Sequence, residues 1–517
     1  VTAGNAEKVG RPERRRRADE RPLWQRRLII VLAHQAPVCF AVGIALLVPL
    51  ALAVWDAQGM PPWSEVRAFV FPAGLALFIG GLLHFRRPVV SSLPSLEALL
   101  ITTAAWLTAA FLGALPFVLL LGTPAVDAVF ESISGFTTAG TTMLTQLDSM
   151  PRSILLWRAI MQWMGGLGIL LIVLLLTQTP GNPAFSLLSA EGVKVSSGRL
   201  SLNFRRGAYR FALIYTVLTV ALVALLLFLG MPVFDSVAQS LTTISTGGFS
   251  PHDESIAFYR HRPGLFPNFA AIELVLIFFM LAGAINFYVH YRIARGDLRA
   301  LWQGAEMRLL WAIVAVATAI VTLDALRHIG PGASDWLLRS GFEVVSLVST
   351  TGFETTATGS FPRLSRELFM LLMVIGGCAG STAGGIKIMR LAILSVFLRH
   401  EIRLLRLPTR AIDLPQLDGM TVSNKAFRQA AFILLLWLGY VAVTGFVLSG
   451  LAPELTLSEA YAAALAAIGV FGPSFASVQQ IIALPDPAKL LLMVGMLAGR
   501  LEILPLLVFV NLAAWRR

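Results

Sequence analysis

VDAVFESISGFTTAGTT (126–142), FDSVAQSLTTISTGGFS (234–250), FEVVSLVSTTGFETT (342–356) and EAYAAALAAIGVFGPSF (459–475) decide how this chain folds. Each is a moderately apolar stretch, too short to cross a bilayer, that runs into small and hydroxyl residues around a glycine. Such a stretch reads as a re-entrant helix that dips into the membrane and returns as extended chain. Backbone without helical hydrogen bonds survives at that depth only when it is buried in protein or lines water. With Gly140, Gly248, Gly352 and Gly472 superposed, three of the four carry an acid thirteen residues earlier: Asp127, Asp235 and Glu459. Phe130 matches Phe342, and Glu131 matches Glu343. Thr137-Thr138, Ser245-Thr246 and Ser349-Thr350 stand just before the glycines. The glycines are separated by 108, 104 and 120 residues, close to the length of a helix, a re-entrant loop and a second helix. The chain is therefore an internal fourfold repeat.

Outward from these loops, ten apolar blocks are long enough to span. They lie at about 28–54, 67–84, 95–121, 152–178, 208–230, 267–291, 308–329, 365–398, 426–450 and 487–513. Of 517 residues 56% are apolar and 14% charged, and the mean hydropathy is +0.75. A soluble chain of this length carries about a quarter charged residues. The expected fold is an all-α polytopic membrane protein of four pseudo-symmetric helix–pore helix–helix repeats around an ion pore, plus an N-terminal transmembrane hairpin. Its divisions are a basic tail (1–27), the hairpin (28–91), and repeats at 92–200, 201–300, 301–420 and 421–517.

The net charge of +12 would suit a nucleic-acid partner if it were spread over one face. Instead it clusters beside the apolar blocks, so the partner it predicts is the lipid bilayer. Arg11, Arg14–Arg17, Arg21, Arg26 and Arg27 precede the first block, which reads as an anchor and not a removable signal. With that tail inside, the cytoplasmic connections hold Arg86, Arg87, Lys194, Arg199, Arg205, Arg206, Arg292, Arg295, Arg299, Arg399, Arg403, Arg406, Arg410, Arg516 and Arg517. Both termini are then cytoplasmic. Cys39 and Cys378 sit in apolar surroundings and define neither a disulfide framework nor a metal site.

Four re-entrant loops meeting on an axis would aim the negative ends of their short helices at the centre. Asp127, Asp235 and Glu459 lie near the helix starts, where an acid caps free amides. The residues after each helix would supply cation ligands: Thr137, Thr138, Ala139 and Gly140; Ser245, Thr246, Gly247 and Gly248; Thr350, Thr351 and Gly352; Val470, Phe471 and Gly472. Glycine lets successive carbonyls turn inward, and rings of carbonyls replace the water shell of a monovalent cation. The ring positions hold no carboxylate, which argues against a divalent ion. One glycine would indicate close helix packing; four at matched points indicate a filter. The eighth block is interrupted by GGCAGSTAGG (376–385), followed by Lys387, and reads as a gate below the filter. Arg500 and Glu502 lie in the last block and need partners there, Arg500 with a carbonyl of the broken segment. Asn286 and Asp324 read as boundary and packing residues, and Trp157 and Trp163 as interfacial or packing residues.

SGFTTAG (134–140), STGGFSPHDESI (245–256), STTGFETT (349–356), GSTAGGIK (380–387) and AGRLEILPLL (498–507), with GALPF (113–117) and QWMGGLGI (162–169), resemble the Trk/Ktr/HKT superfamily of cation transporters over roughly residues 28–515. Within it the chain is most similar to the bacterial Trk potassium-uptake subunit. The resemblance implies potassium as the transported ion, an inner-membrane location, and homodimers with one pore per protomer. A cytoplasmic nucleotide-binding regulatory subunit is the further partner it implies. It also implies a filter glycine at Gly140, Gly248, Gly352 and Gly472, a gating loop at Gly376–Gly385, and basic residues near the gate at Lys387 and Arg500. The fourth repeat departs. The family pattern is close to Asn-Val-Gly-Pro-Gly, where this chain reads Val470-Phe471-Gly472-Pro473-Ser474. Main-chain ligands remain, with less polar support, which weakens the expectation of strict discrimination among potassium, rubidium and sodium. Ala139 also stands where Thr is common.

The expected function is potassium uptake by gated conduction through a four-loop carbonyl filter. No enzymatic chemistry is expected, and no cofactor: the chain lacks a glycine-rich dinucleotide fingerprint. The alternative is a proton- or sodium-coupled secondary transporter, for which Glu502 is the candidate coupling residue.

Overall fold

Helix, short helix, second helix: this unit recurs four times in the computed structural model, which describes residues 22–57, 62–85, 95–177, 200–330, 333–408, 413–472 and 475–516. The first unit is Ser95–Leu121, Ala125–Thr137 and Arg152–Thr177; the second is Leu200–Phe228, Val233–Ile244 and Phe269–Ala284. The third is Ala305–His328, Ala333–Val348 and Arg363–Leu372; the fourth is Asn424–Leu451, Leu457–Gly469 and Asp486–Arg500. The short middle members are the four pore helices. Ahead of these units stands a hairpin of Leu23–Asp56, in three consecutive pieces, and Trp63–Phe85.

Among the described residues six helical spans are long and apolar enough to cross a membrane, Leu23–Asp56 counted as one. Phe78, Phe228, Leu435 and Phe446 on these helices are exposed, an outer surface that suits lipid as solvent and not water. In three of the four units continuity fails in the second long helix. Phe269–Ala284 meets Phe287–Ile293 at 109°, so the block expected to run straight over 267–291 is sharply bent. The block expected over 365–398 is split by the segment 373–387, and Ile388–Leu404 resumes the helix. The block expected over 487–513 breaks at Glu502 and Ile503, whose φ values are +59° and +66°, before Leu504–Val510 begins. Arg152–Thr177, its counterpart in the first unit, is one continuous helix.

Packing holds the pore helices in the interior. Trp157 is fully buried in an apolar cluster that joins the N-terminal hairpin to the first and fourth units. Its indole donates to Gly113 O at 3.0 Å, and Trp163 donates to Thr219 Oγ1 at 3.2 Å, so both serve packing. Gly165, Gly283 and Gly499 lie against the carbonyls of Phe136, Ile244 and Ile468. Those three carbonyls occupy the same place in three pore helices, four residues before the marked glycine. A methyl group would push the supporting helix off the pore-helix end, which explains the glycines in QWMGGLG and AGRLE. The tail residues Arg11–Arg21 and Arg86, Arg87, Lys194, Arg199 and Arg410 lie outside the described residues, as do the side chains of Arg205 and Arg206.

Candidate functional site

Each pore helix ends in the same way. The residue two before the marked glycine adopts the left-handed conformation: Thr138 (φ +60°), Thr246 (+53°), Thr350 (+57°) and Val470 (+59°). The next amide then reaches back five residues: Ala139 N to Ser134 O at 2.8 Å, Gly247 N to Thr242 O at 2.8 Å, Thr351 N to Ser346 O at 2.9 Å, and Phe471 N to Ala466 O at 3.3 Å. This is the helix stop that glycine normally makes. Here four β-branched residues make it, at a cost of roughly 1–2 kcal/mol each. The sequence matches therefore reflect one backbone turn built four times.

The turns converge. Gly140, Gly248, Gly352 and Gly472 line one cavity of about 240 Å³. Thr141 Oγ1 donates to Gly472 O at 3.3 Å, and Gly140 lies against Gly247 O while Gly248 lies against Thr351 O. Gly140, Gly248 and Gly352 have φ of +76° to +79°. Gly472 does not share that positive φ. Thr137, Ala139, Ser245, Thr351 and Phe471 are buried beside them.

What holds the returning strands was half visible in the sequence. Glu131 Oε2 accepts from Met143 N at 2.7 Å, and Glu343 Oε1 accepts from Thr355 N at 2.8 Å and Thr356 N at 3.1 Å. Both acids stand nine residues before the glycine and grip the amide three residues after it. In the second unit that position is Gln239, which donates to Ser250 Oγ at 3.1 Å. In the fourth it is Ala463, a side chain that can hold nothing. Two further braces were not anticipated. Arg158, 2% exposed, donates to Glu131 Oε1 at 2.7 Å and to Ser250 O at 3.0 Å, tying the first turn to the second. Gln162 straddles Gly248, donating to Gly247 O at 2.7 Å and accepting from Phe249 N at 3.0 Å. Nothing in the spacing of Arg158 or Gln162 separates them from ordinary polar residues of a long helix.

The expected capping role of the three matched acids needs correction. Only Glu459 forms a capping box, with Thr456. Asp127 instead accepts from Lys489 Nζ at 2.6 Å, and Asp235 from His252 Nε2 at 3.1 Å. In both places an ionic partner from elsewhere in the chain outbids the local amides.

Directly under the turns runs the segment 373–387. Its amides are held by its surroundings: Cys378 N by Ala284 O at 2.8 Å, Thr382 N by Gly283 O at 3.2 Å, and Gly384 N by Thr350 Oγ1 at 2.7 Å. Thr382 Oγ1 lies 3.0 Å from Ile244 O and 3.4 Å from Thr246 Oγ1, and Gly384 packs on Gly469 and Val470. Left-handed residues of three turns thus rest on it. Arg500 donates to Thr382 O at 2.6 Å and Gly165 O at 3.1 Å, the partner expected for it. Lys387 Nζ is buried against Ala383 O at 2.5 Å, so it does not reach for the surface. Glu502 accepts from Arg390 at 2.5 Å. Asn286 caps Phe287–Ile293 through Tyr288 N at 2.8 Å and abuts Gly380, a closer association with the loop than its reading as a boundary residue implied.

Comparison with known proteins gives the context. A family model described as "TrkH: Cation transport protein" matches residues 75–514. The chain is 32% identical to the Trk system potassium uptake protein TrkH of Salmonella typhimurium over 462 residues, covering 87% of this chain and 92% of that protein. It is 31% identical to the Trk system potassium uptake protein TrkI of Halomonas elongata, covering 95% and 98% respectively. Among solved structures it resembles the potassium transporter TrkH from Vibrio parahaemolyticus. That match has a TM-score of 0.81 at 28% identity and covers 94% of this chain and 99% of the other.

Proposed function

The chain belongs to the TrkH family of cation transport proteins, and from that premise we propose that it admits potassium by gated conduction through the ring of four turns. The observation that carries this reading is the single cavity shared by Gly140, Gly248, Gly352 and Gly472. Main-chain carbonyls of Thr137–Gly140, Ser245–Gly248, Thr350–Gly352 and Val470–Gly472 are the proposed ligands of the dehydrated ion. Membrane potential supplies the drive, about 2.3 kcal/mol per elementary charge per 100 mV. Segment 373–387 is the proposed gate, since it lies beneath the turns and bears on three of them.

In this reading the protein is a homodimer in the bacterial inner membrane with both termini cytoplasmic, and a nucleotide-binding regulatory subunit meets its cytoplasmic face. The coupled-transport alternative has less support. Its candidate proton carrier, Glu502, is engaged by Arg390.

Purified full chain in liposomes tests the filter. Replacement of Gly352 by Ser puts a side chain on a left-handed residue of the ring and should lower the potassium-to-sodium flux ratio about tenfold, a loss of roughly 1.4 kcal/mol in discrimination. A folded variant with the parent's ratio would remove the filter reading. A parent whose reversal potential follows a proton gradient would favour coupling instead.

A further inference from the structure

A two-stranded hairpin, Gln416–Leu417 paired with Met420–Thr421, lies between the third and fourth units. Its turn is Asp418-Gly419, with φ of +50° and +78°, the mirror-image turn that favours this dipeptide. The turn is exposed, yet its carboxylate is committed. Asp418 Oδ2 accepts from Ala305 N at 2.7 Å and Oδ1 accepts from Arg308 at 3.0 Å. Ala305 opens the 24-residue helix Ala305–His328, whose own N-cap, Gly304, offers no side chain. A residue from a distant hairpin therefore satisfies an amide that the helix itself leaves open.

One position further on, Glu306 points inward. It is buried, and its Oε1 accepts from Ala379 N, inside the intramembrane segment, at 2.6 Å. The amides of Cys378 and Thr382 are held by main-chain carbonyls of the second unit; that of Ala379 is held by a carboxylate of the third. An apolar connection runs alongside. Leu417 of the hairpin and Ala379 of the segment belong to one buried cluster with Met389, Ile393 and Phe397. Polar and apolar contacts both lead from the exposed turn to the same bend of the loop.

We propose that Glu306 and Asp418 are positioning residues of the gate, with the hairpin as the handle through which the protein's surface sets the loop. The proposal rests on the reading of 373–387 as a gate. Glu306 satisfies the loop amide of Ala379 and a backbone group of Met389 just beyond the loop, so in the arrangement where the loop obstructs the path its loss leaves buried donors unpaired and favours opening. Asp418 acts one step back, by fixing the helix end that carries Glu306.

The test is single-channel recording and liposome flux of the purified full chain with Glu306→Ala, Glu306→Gln and Asp418→Ala. Glu306→Ala and Asp418→Ala should raise the open fraction about tenfold, the scale of one charge-assisted hydrogen bond. Unit conductance and the potassium-to-sodium ratio should stay at the parent's values, which a general loosening of the fold would not preserve. Glu306→Gln keeps an acceptor for Ala379 and should stay close to the parent. A variant lacking part of Gly376–Gly385 runs in parallel. If it conducts like the parent, the gate reading fails and this proposal fails with it. If it conducts more while folded Glu306→Ala and Asp418→Ala keep the parent's open fraction, this proposal alone is overturned. Should Glu306→Ala fail to fold, Asp418→Ala on the exposed turn decides.

Discussion

Glu343 makes the residue-scale case most clearly. Its carboxylate, 1% exposed, receives the amides of Thr355 and Thr356, and an orphaned buried donor costs about 1–3 kcal/mol. Glu343→Ala gives the third turn the side chain that the fourth already has at Ala463. It should lower the potassium-to-sodium flux ratio in liposomes several-fold while leaving the gate's open fraction alone; Glu343→Gln should lose less. Sequence reading matched Glu131 with Glu343 but could not supply their function. Their acceptor role depends on amides twelve and thirteen residues ahead, and those face the carboxylate only after the left-handed turn has formed. The turn itself was partly concealed, because Thr and Val occupy a place where glycine is the usual signal.

Elements meet at His252, in the connection after the second turn. Its Nδ1 faces Asp148, from the connection after the first turn, and its Nε2 faces Asp235 on the second pore helix. The ring stacks on Phe258 with centroids 3.5 Å apart. Burial works to lower its pKa, but hydrogen bonds and charge from Asp235 and Asp148 outweigh burial and raise it. Ionised carboxylates only accept, so both contacts are satisfied when both ring nitrogens carry protons, and the imidazolium then clamps two units together. The folded pKa lies above the unfolded one, so this contribution is complete below the ordinary imidazole range and disappears as pH rises through the raised value. Thermal unfolding in detergent should show the parent losing stability as pH rises from the ordinary imidazole range through the raised value, with His252→Gln lacking the component. At this scale the sequence was a fair guide to pore helices and poor on breaks. GGCAGSTAGG announced an interruption by composition, whereas Ile285-Asn286 and Glu502-Ile503 sit in apolar runs with no such density of glycine. At the first the intramembrane segment packs on the break, with Cys378 N on Ala284 O and Phe287 N on Gly380 O; at the second Glu502 is paired with Arg390.

Closure of the whole ring includes a buried ion pair, Lys489 with Asp127, which joins the fourth unit to the first across 2.6 Å with both side chains largely buried. Lys489→Met would strand a buried carboxylate and should destabilise the folded protein by about 3–5 kcal/mol, read as a fall in midpoint in detergent unfolding. Asp127→Asn placed in the same chain should return much of the loss. The architecture as a whole was legible because a repeated unit leaves its spacing in the chain, and the four glycines stood at nearly even intervals. That the fourth unit relates differently to the others showed first as Val470-Phe471 in the sequence, then as the distinct backbone of Gly472. The unequal position nine residues before each glycine has a consequence for how such a pore changes over time. In an assembly of four identical chains any substitution strikes every quadrant together. Here Glu131, Gln239, Glu343 and Ala463 are separate letters of one gene, so on the proposed filter reading ion preference can be adjusted by quarter steps, with three sides preserving the aperture while the remaining one drifts.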